Sequence, residues 1–156
     1  MKKINLRFEQ DKTLKEIDVV IRASEKDSDV QMLIDQLSQN MPHKLTVLDK
    51  NNCSCVIDEN DIVTITSDGK QVRVMTTRGR CTARQTLQNV EKLISDRIFM
   101  RVSRFELVNL AMIRKYDFTI GGTLRIEFEN GMETWASRRY IPLIKQRLSG
   151  EEGYLC

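Results

Sequence analysis

Two adjacent arginines, Arg138 and Arg139, stand in the stretch ETWASRRYIPLI (Glu133–Ile144), between Trp135 and the apolar residues Tyr140, Ile141, Leu143 and Ile144. Trp135 is expected to bury its ring and fix the end of a strand. Tyr140, Ile144 and Leu148 fall at i, i+4 and i+8, the stripe of a short helix, and Pro142 is tolerated only near that helix's start. Ser137–Arg139 therefore lie at or just before its first turn. Cations oppose the dipole at a helix N-terminus, whereas the free N–H groups there attract anions. A phosphate at this corner would remove the conflict. The alternative is that one of the two arginines pairs with Glu133 or Glu106.

Two other stretches could carry related chemistry. In RVSRFELVN, Arg101 and Ser103 share one face of a strand, while Arg104 leaves on the other side or in a loop. Arg104 could equally pair with Glu106. Val108, Leu110 and Ile113 read as core, and Asn109 as a turn cap. In SDGKQVR, Lys70 and Gln71 project from a hairpin tip, with Arg73 just beyond. Such a tip can enter a groove, or Lys70 can be simply a solvated turn residue.

No pattern suggests an enzyme. No histidine accompanies a Ser or Cys nucleophile, and neither H-E-x-x-H nor a P-loop occurs. Gly121-Gly122 reads as a hairpin turn, and no close pair of carboxylates suggests acid–base work. No catalytic residue, cofactor or small-molecule substrate is expected. Cys53, Cys55, Cys81 and Cys156 form no C-x-x-C pair, so reduced thiols and no metal are expected. The lone His43, beside Pro42, reads as a solvated linker residue. Without a signal peptide or an apolar run near 18 residues, a cytoplasmic location is expected.

The net charge of +3 conceals an asymmetry: Met1–Asn60 carries −2, whereas Asp61–Ser149 carries +7, with 12 of its 16 cations arginine. Arginine's planar fork suits phosphates and guanine edges. A basic domain joined to a mildly acidic one fits a nucleic-acid binder. The alternative is an interaction module whose basic face meets an acidic protein.

The elements that must hold these residues follow from hydrophobic period. Ile4, Leu6 and Phe8 alternate, as do Ile17, Val19 and Ile21, predicting two strands. Val30, Leu33, Ile34 and Leu37 have helical spacing, with Ser28 and Gln31 as a capping box. Residues 1–42 thus form a strand–strand–helix extension, residues 43–149 a second domain, and residues 150–156 a frayed tail. In the second domain, KLTVLD and CSCVID flank a turn, as do DIVTITS and QVRVMTT around Asp68-Gly69. A helix with stripe Ala83, Leu87, Val90 and Ile94 follows, with Thr82 as cap. IFMRVSRFELVNL and AMIRKYDFTI read as short strands around a long loop, and TLRIEFE and METWAS as two more. The class is mainly β with few helices. No two adjacent helices form a helix-turn-helix, so any DNA contact falls to inter-strand loops.

DIVTITSDGKQVRVMTTRG, TLQNVEKLISDRIFMRVSRFELVNLAMIRKYD and LRIEFENGMETWASRRYIPLIKQRL together resemble the LytTR family of bacterial DNA-binding domains. The most specific parts are Phe99–Asn109 and Ser137–Tyr140, with Asn130-Gly131 between them. The resemblance, from about Lys44 to Leu148, implies an elongated β fold whose loops enter successive major grooves of double-stranded DNA. It implies Arg104 and Arg139 as base contacts and the Lys70–Val72 tip as a further contact. Val72 is apolar where some members are polar, so Lys70 and Gln71 are favoured there. Arg73, Arg101, Ser103 and Arg138 are lesser candidates, some for phosphate. The family domain is often fused to a receiver, for which Met1–Gln39 is too short. The extension resembles that of stand-alone members, commonly paired with an inhibitory membrane protein. It is expected to serve dimerisation or regulation, with a homodimer or paired binding on DNA.

Overall fold

The computed structural model describes residues 3–119 and 121–149. The expected tail, 150–156, lies outside the described residues. The chain divides into two compact units, 1–41 and 42–156.

The first unit contains helix α1 (Ser28–Gln39). Its N-cap is Asp27, whose carboxylate accepts the Val30 N–H at 3.1 Å. Ser28, expected as the cap, is instead the first helical residue. A turn at Lys12–Thr13 follows Asp11, whose carboxylate accepts the Thr13 N–H and O–H at 2.8 and 2.6 Å. The two alternating stretches flank that turn, but no strand forms among residues 3–27. Several of their apolar side chains stand in solvent: Leu6, Phe8 and Ile17 are 93%, 88% and 92% exposed. A two-stranded hairpin without a covering layer is marginal in water, so alternation alone did not make a ladder.

The second unit is built on an antiparallel seven-stranded sheet and a three-stranded one. In sequence its elements are β1 (Lys44–Leu48), β2 (Ser54–Asp58), β3 (Ile62–Ser67), β4 (Val72–Thr76), β5 (Gly79–Ala83), α2 (Leu87–Leu93), β6 (Phe99–Ser103), β7 (Glu106–Asn109), β8 (Ile113–Phe118), β9 (Leu124–Phe128), β10 (Glu133–Ala136) and α3 (Ile141–Ser149). The large sheet runs β2-β1-β5-β4-β3-β7-β6 and the small one β10-β9-β8.

Apolar alternation is cleanest where one face is covered. Leu45, Val47, Val72 and Val74 join Leu87 and Val90 of α2, and Ile94 just after it, in one core. A second core joins Met100, Val102 and Val108 to Leu124, Ile126 and Phe128, and to Ile144 and Leu148 of α3. Strand β3 serves both. A register shift between Ile62 and Thr64 lets Ile62 and Ile65 share the first core while Val63 enters the second. A bulge reassigns faces in this way. Val63 and Leu107 are both 1% exposed, so the middle of the large sheet is covered on both sides.

Four sequence expectations need correction. Gly79–Ala83 is strand β5, pairing Val72↔Ala83 through Thr76↔Gly79 with β4. Its only apolar residues are Cys81 and Ala83, too few to show a period. The helix after it starts at Leu87 and is capped by Thr86, not Thr82; the Thr86 hydroxyl accepts the Asn89 N–H at 3.2 Å. IFMRVSRFELVNL, read with AMIRKYDFTI as short strands around a long loop, instead holds two strands, β6 and β7, joined by a two-residue turn, Arg104–Phe105. His43 is not simply solvated, since its Nδ1 lies 3.1 Å from the buried Glu59 carboxylate, which also accepts the Ser95 N–H.

Candidate nucleic-acid interface

The β3–β4 turn and the β6–β7 turn lie at the same end of the large sheet, because Thr66 pairs with Glu106 across β3 and β7. The Ser67 N–H donates to the Phe105 carbonyl at 2.7 Å, tying the two turns together. The corner between β10 and α3 joins them from the small sheet. There the Ser137 N–H donates to the Val102 carbonyl at 2.8 Å, and the Tyr140 N–H to the Ser137 carbonyl at 2.9 Å. The Thr134 hydroxyl donates to the Glu106 carboxylate. Three loops distant in sequence are thus held side by side by backbone hydrogen bonds, whose geometry does not depend on flexible side chains.

These loops carry the candidate cations. Arg104, Arg138 and Arg139 are exposed. The carboxylates that could have neutralised them are engaged elsewhere. Glu106 accepts from Thr134, and Glu133 pairs with Arg125 Nη1 at 3.1 Å. Arg125 also reaches Asp117 at 3.2 Å. The Arg104 guanidinium rests 5.7 Å from the centre of its neighbour's ring, Phe105. That contact restrains the side chain without cancelling its charge.

Arg101 and Arg73 behave differently. Arg101 is only 23% exposed; its Nε donates to Glu91 at 2.9 Å, its Nη2 lies 2.8 Å from the same carboxylate oxygen, and its Nη1 donates to the Arg104 carbonyl at 2.8 Å. It braces the turn that displays Arg104. Arg73 pairs with Asp68 at the base of the β3–β4 turn. The Asp68 carboxylate accepts the Gln71 N–H at 3.0 Å and the Lys70 N–H at 3.3 Å. The Gln71 N–H above all, then Arg73 and the Lys70 N–H, lower its pKa to about 2. Gly69, at φ +89°, supplies the left-handed residue this turn needs. Lys70 and Gln71 are exposed at its tip. The Ser103 hydroxyl is half-buried and accepts the Phe105 N–H at 3.2 Å, closing the β6–β7 turn.

Glu106 lies among these loops, and burial raises its pKa, opposed by hydrogen bonds from Thr134 and Thr66. Asn109, in the segment that carries the family resemblance, is 1% exposed. Its amide donates to the Ile62 carbonyl at 2.8 Å and its oxygen accepts the Ala111 N–H at 2.9 Å. It pins β7 to β3 and is out of reach of a ligand. Trp135, expected to be a buried anchor, is 54% exposed; the strand end is fixed by buried Ala136. Successive strand residues face opposite ways, and here the small residue takes the inside.

Sequence reasoning passed over Arg84. It is exposed and borders an open groove of about 520 Å³, lined also by Ser67, Lys70, Gln71 and Thr86. Antiparallel pairing of β5 with β4 puts Arg84 at the Lys70–Gln71 end. Recognising GRCTA as a strand was the signal that would have found it.

Residues 52–149 match the LytTr DNA-binding domain family. The chain belongs to the LytTR family. It is also similar to an uncharacterised HTH-type transcriptional regulator of Staphylococcus aureus strain NCTC 8325, at 30% identity over 96% of this chain and 99% of that one. A relative from strain N315 with the same description matches at the same identity and coverage. Among solved structures, a LytTr DNA-binding domain from Bacillus cereus superposes with a TM-score of 0.64, at 18% identity, covering 69% of this chain and 98% of that one. The LytTR fold and the mainly β class are therefore shared. In this LytTR chain α2 and α3 are separated by five strands, so they do not form a helix-turn-helix. None of its described helices is long and apolar enough to cross a membrane.

Proposed function

We propose that this LytTR protein is a cytoplasmic transcriptional regulator that reads duplex DNA in the major groove with the three joined loops. Arg104 and Arg139 are the base-reading groups. Each guanidinium can donate two hydrogen bonds to O6 and N7 of a guanine. Lys70, Gln71, Arg84 and Arg138 contact phosphates or groove edges, whereas Arg101 and Arg73 hold the turns in shape. One observation carries the reading: among the described residues Arg104 and Arg139 are exposed without a carboxylate partner, on loops connected by the Val102–Ser137 hydrogen bond. Cations on a fixed frame favour a polyanion of fixed geometry, because the loops that carry them need little further ordering on binding.

Selection of bound duplexes from a random pool tests the proposal. The expected result is a recovered motif containing guanines, which outcompetes bulk DNA at physiological salt by about a thousandfold or more. Salt-sensitive binding with no preferred duplex would contradict it, and would favour an acidic protein as the partner. The N-terminal unit is assigned to self-association rather than to DNA. It is nearly balanced in charge and has no cluster of arginines.

A further inference from the structure

The apolar stretches before α1 need a covering strand, and their sequence says which. Residues Lys3–Glu9 read K-I-N-L-R-F-E. Paired antiparallel with a second copy about Leu6, this segment puts Lys3 opposite Glu9 and Ile4 opposite Phe8. Asn5 then faces Arg7, and Leu6 faces its own equivalent. Every apolar residue meets an apolar one, and opposite charges close both ends. Two-fold symmetry makes each of the off-axis pairs occur twice.

Pairing within one chain is less consistent. If Phe8 stands opposite Ile17 and Leu6 opposite Val19, then Glu9 meets Glu16 and Lys3 meets Arg22. Like charges directly opposite destabilise a ladder. In the structure, residues 3–27 form no strand, and Leu6 and Phe8 are 93% and 88% exposed. Among the described residues Glu9 pairs with Arg7, at 3.3 Å with both side chains largely in solvent, so it can turn to a better partner at little cost. Helix α1 has no fully buried residue, and an amphipathic helix of this kind can cover one face of a sheet once one exists.

We infer that residues Lys3–Glu9 pair antiparallel with the same segment of a second copy about Leu6, forming the central strands of a homodimer. The occupant of this edge is another molecule of the same chain, because the charge pattern is complementary to its own reverse. Glu16–Arg22, E-I-D-V-V-I-R, has opposite charges at its ends as well. However, Val20 breaks its alternation, whereas Lys3–Glu9 alternates strictly. The inference does not rest on the DNA-binding reading.

Sedimentation equilibrium on the full chain tests it. The wild type is expected to dimerise at micromolar concentration. Lys3→Glu alone, or Glu9→Lys alone, places like charges at both ends of the pairing and should weaken the dimer roughly tenfold. The double variant K3E/E9K restores opposite charges and should return the dimer to near wild-type strength. Leu6→Asp, on the axis, should leave a folded monomer, with unit 42–156 intact by circular dichroism. A monomeric wild type would overturn the inference. So would single variants without effect, or a double variant no better than the singles. Rescue confined to the corresponding pair E16K/R22E would move the axis to the second segment and overturn this register.

Discussion

The role of Arg101 separates a residue that braces the reading surface from one that touches DNA. Arg101→Met keeps most of the aliphatic stem but removes the ion pair with Glu91, including its one hydrogen bond, and the hydrogen bond to the Arg104 carbonyl. Glu91 is 40% exposed and both contacts to it end on one oxygen, so solvent screening limits the ion pair to about 1 kcal/mol or less. The carbonyl bond adds up to about 1 kcal/mol. The expected loss of folding stability is about 1–2 kcal/mol. The freed Arg104 turn must then be ordered during binding, which costs about 1 kcal/mol, or roughly fivefold in affinity. Because no phosphate contact is lost, that factor should be the same at every salt concentration. Fluorescence anisotropy across a salt series, with urea denaturation of the same sample, measures both effects. If log K falls less steeply with log salt, by about 0.9, and stability is unchanged, Arg101 neutralises a phosphate and the bracing argument is wrong.

Other substitutions probe the remaining parts of the frame. Asn109→Ala should destabilise the fold by about 2–3 kcal/mol in denaturant, since it leaves the buried Ile62 carbonyl unpaired; at conditions where it is folded, its DNA affinity should match wild type. Glu106 has a folded pKa above its ordinary 4.5, so the folded state holds that proton more firmly than the unfolded chain. Its contribution favours folding at pH below about 4.5 and is lost as pH rises through the higher folded value. Glu106→Gln should therefore gain in melting temperature relative to wild type at pH 7, and the gain should shrink toward pH 4. A loss at pH 7 would contradict the burial argument. Lys70→Ala and Arg84→Ala should each weaken binding to all duplexes alike and lower the salt slope by about 0.9, read by anisotropy on specific and scrambled duplexes.

Much of the DNA-binding unit was legible because its strands have one or both faces covered. DIVTITS and TLRIEFE show their periods because Ile65, Leu124 and Ile126 are fully buried. Strand β5 escaped notice because its place depends on pairing with β4, not on apolar content. The N-terminal stretches erred in the other direction: their period is strong, but no strand forms among the described residues 3–27. At the candidate interface, Arg104, Arg138 and Arg139 were singled out from type and spacing, and all three are exposed. The distinction between Arg104 and Arg101 was not, since it rests on Glu91 of α2, ten residues away in sequence and met only in the fold. Trp135 was misjudged for a similar reason: Ala136 takes the inside of β10 and leaves the ring outside.

The central claim is that Arg104 and Arg139 read bases from one shared frame. The most direct measurement is duplex selection repeated with Arg104→Ala and with Arg139→Ala, each compared with the wild-type motif. Each variant should lose about 1–3 kcal/mol for the wild-type site and relax preference at one position. The two relaxed positions should differ, and preference elsewhere in the motif should persist. Unchanged motifs for both variants, with affinity lowered equally on all sequences, would show that these arginines touch only the backbone and would contradict the account.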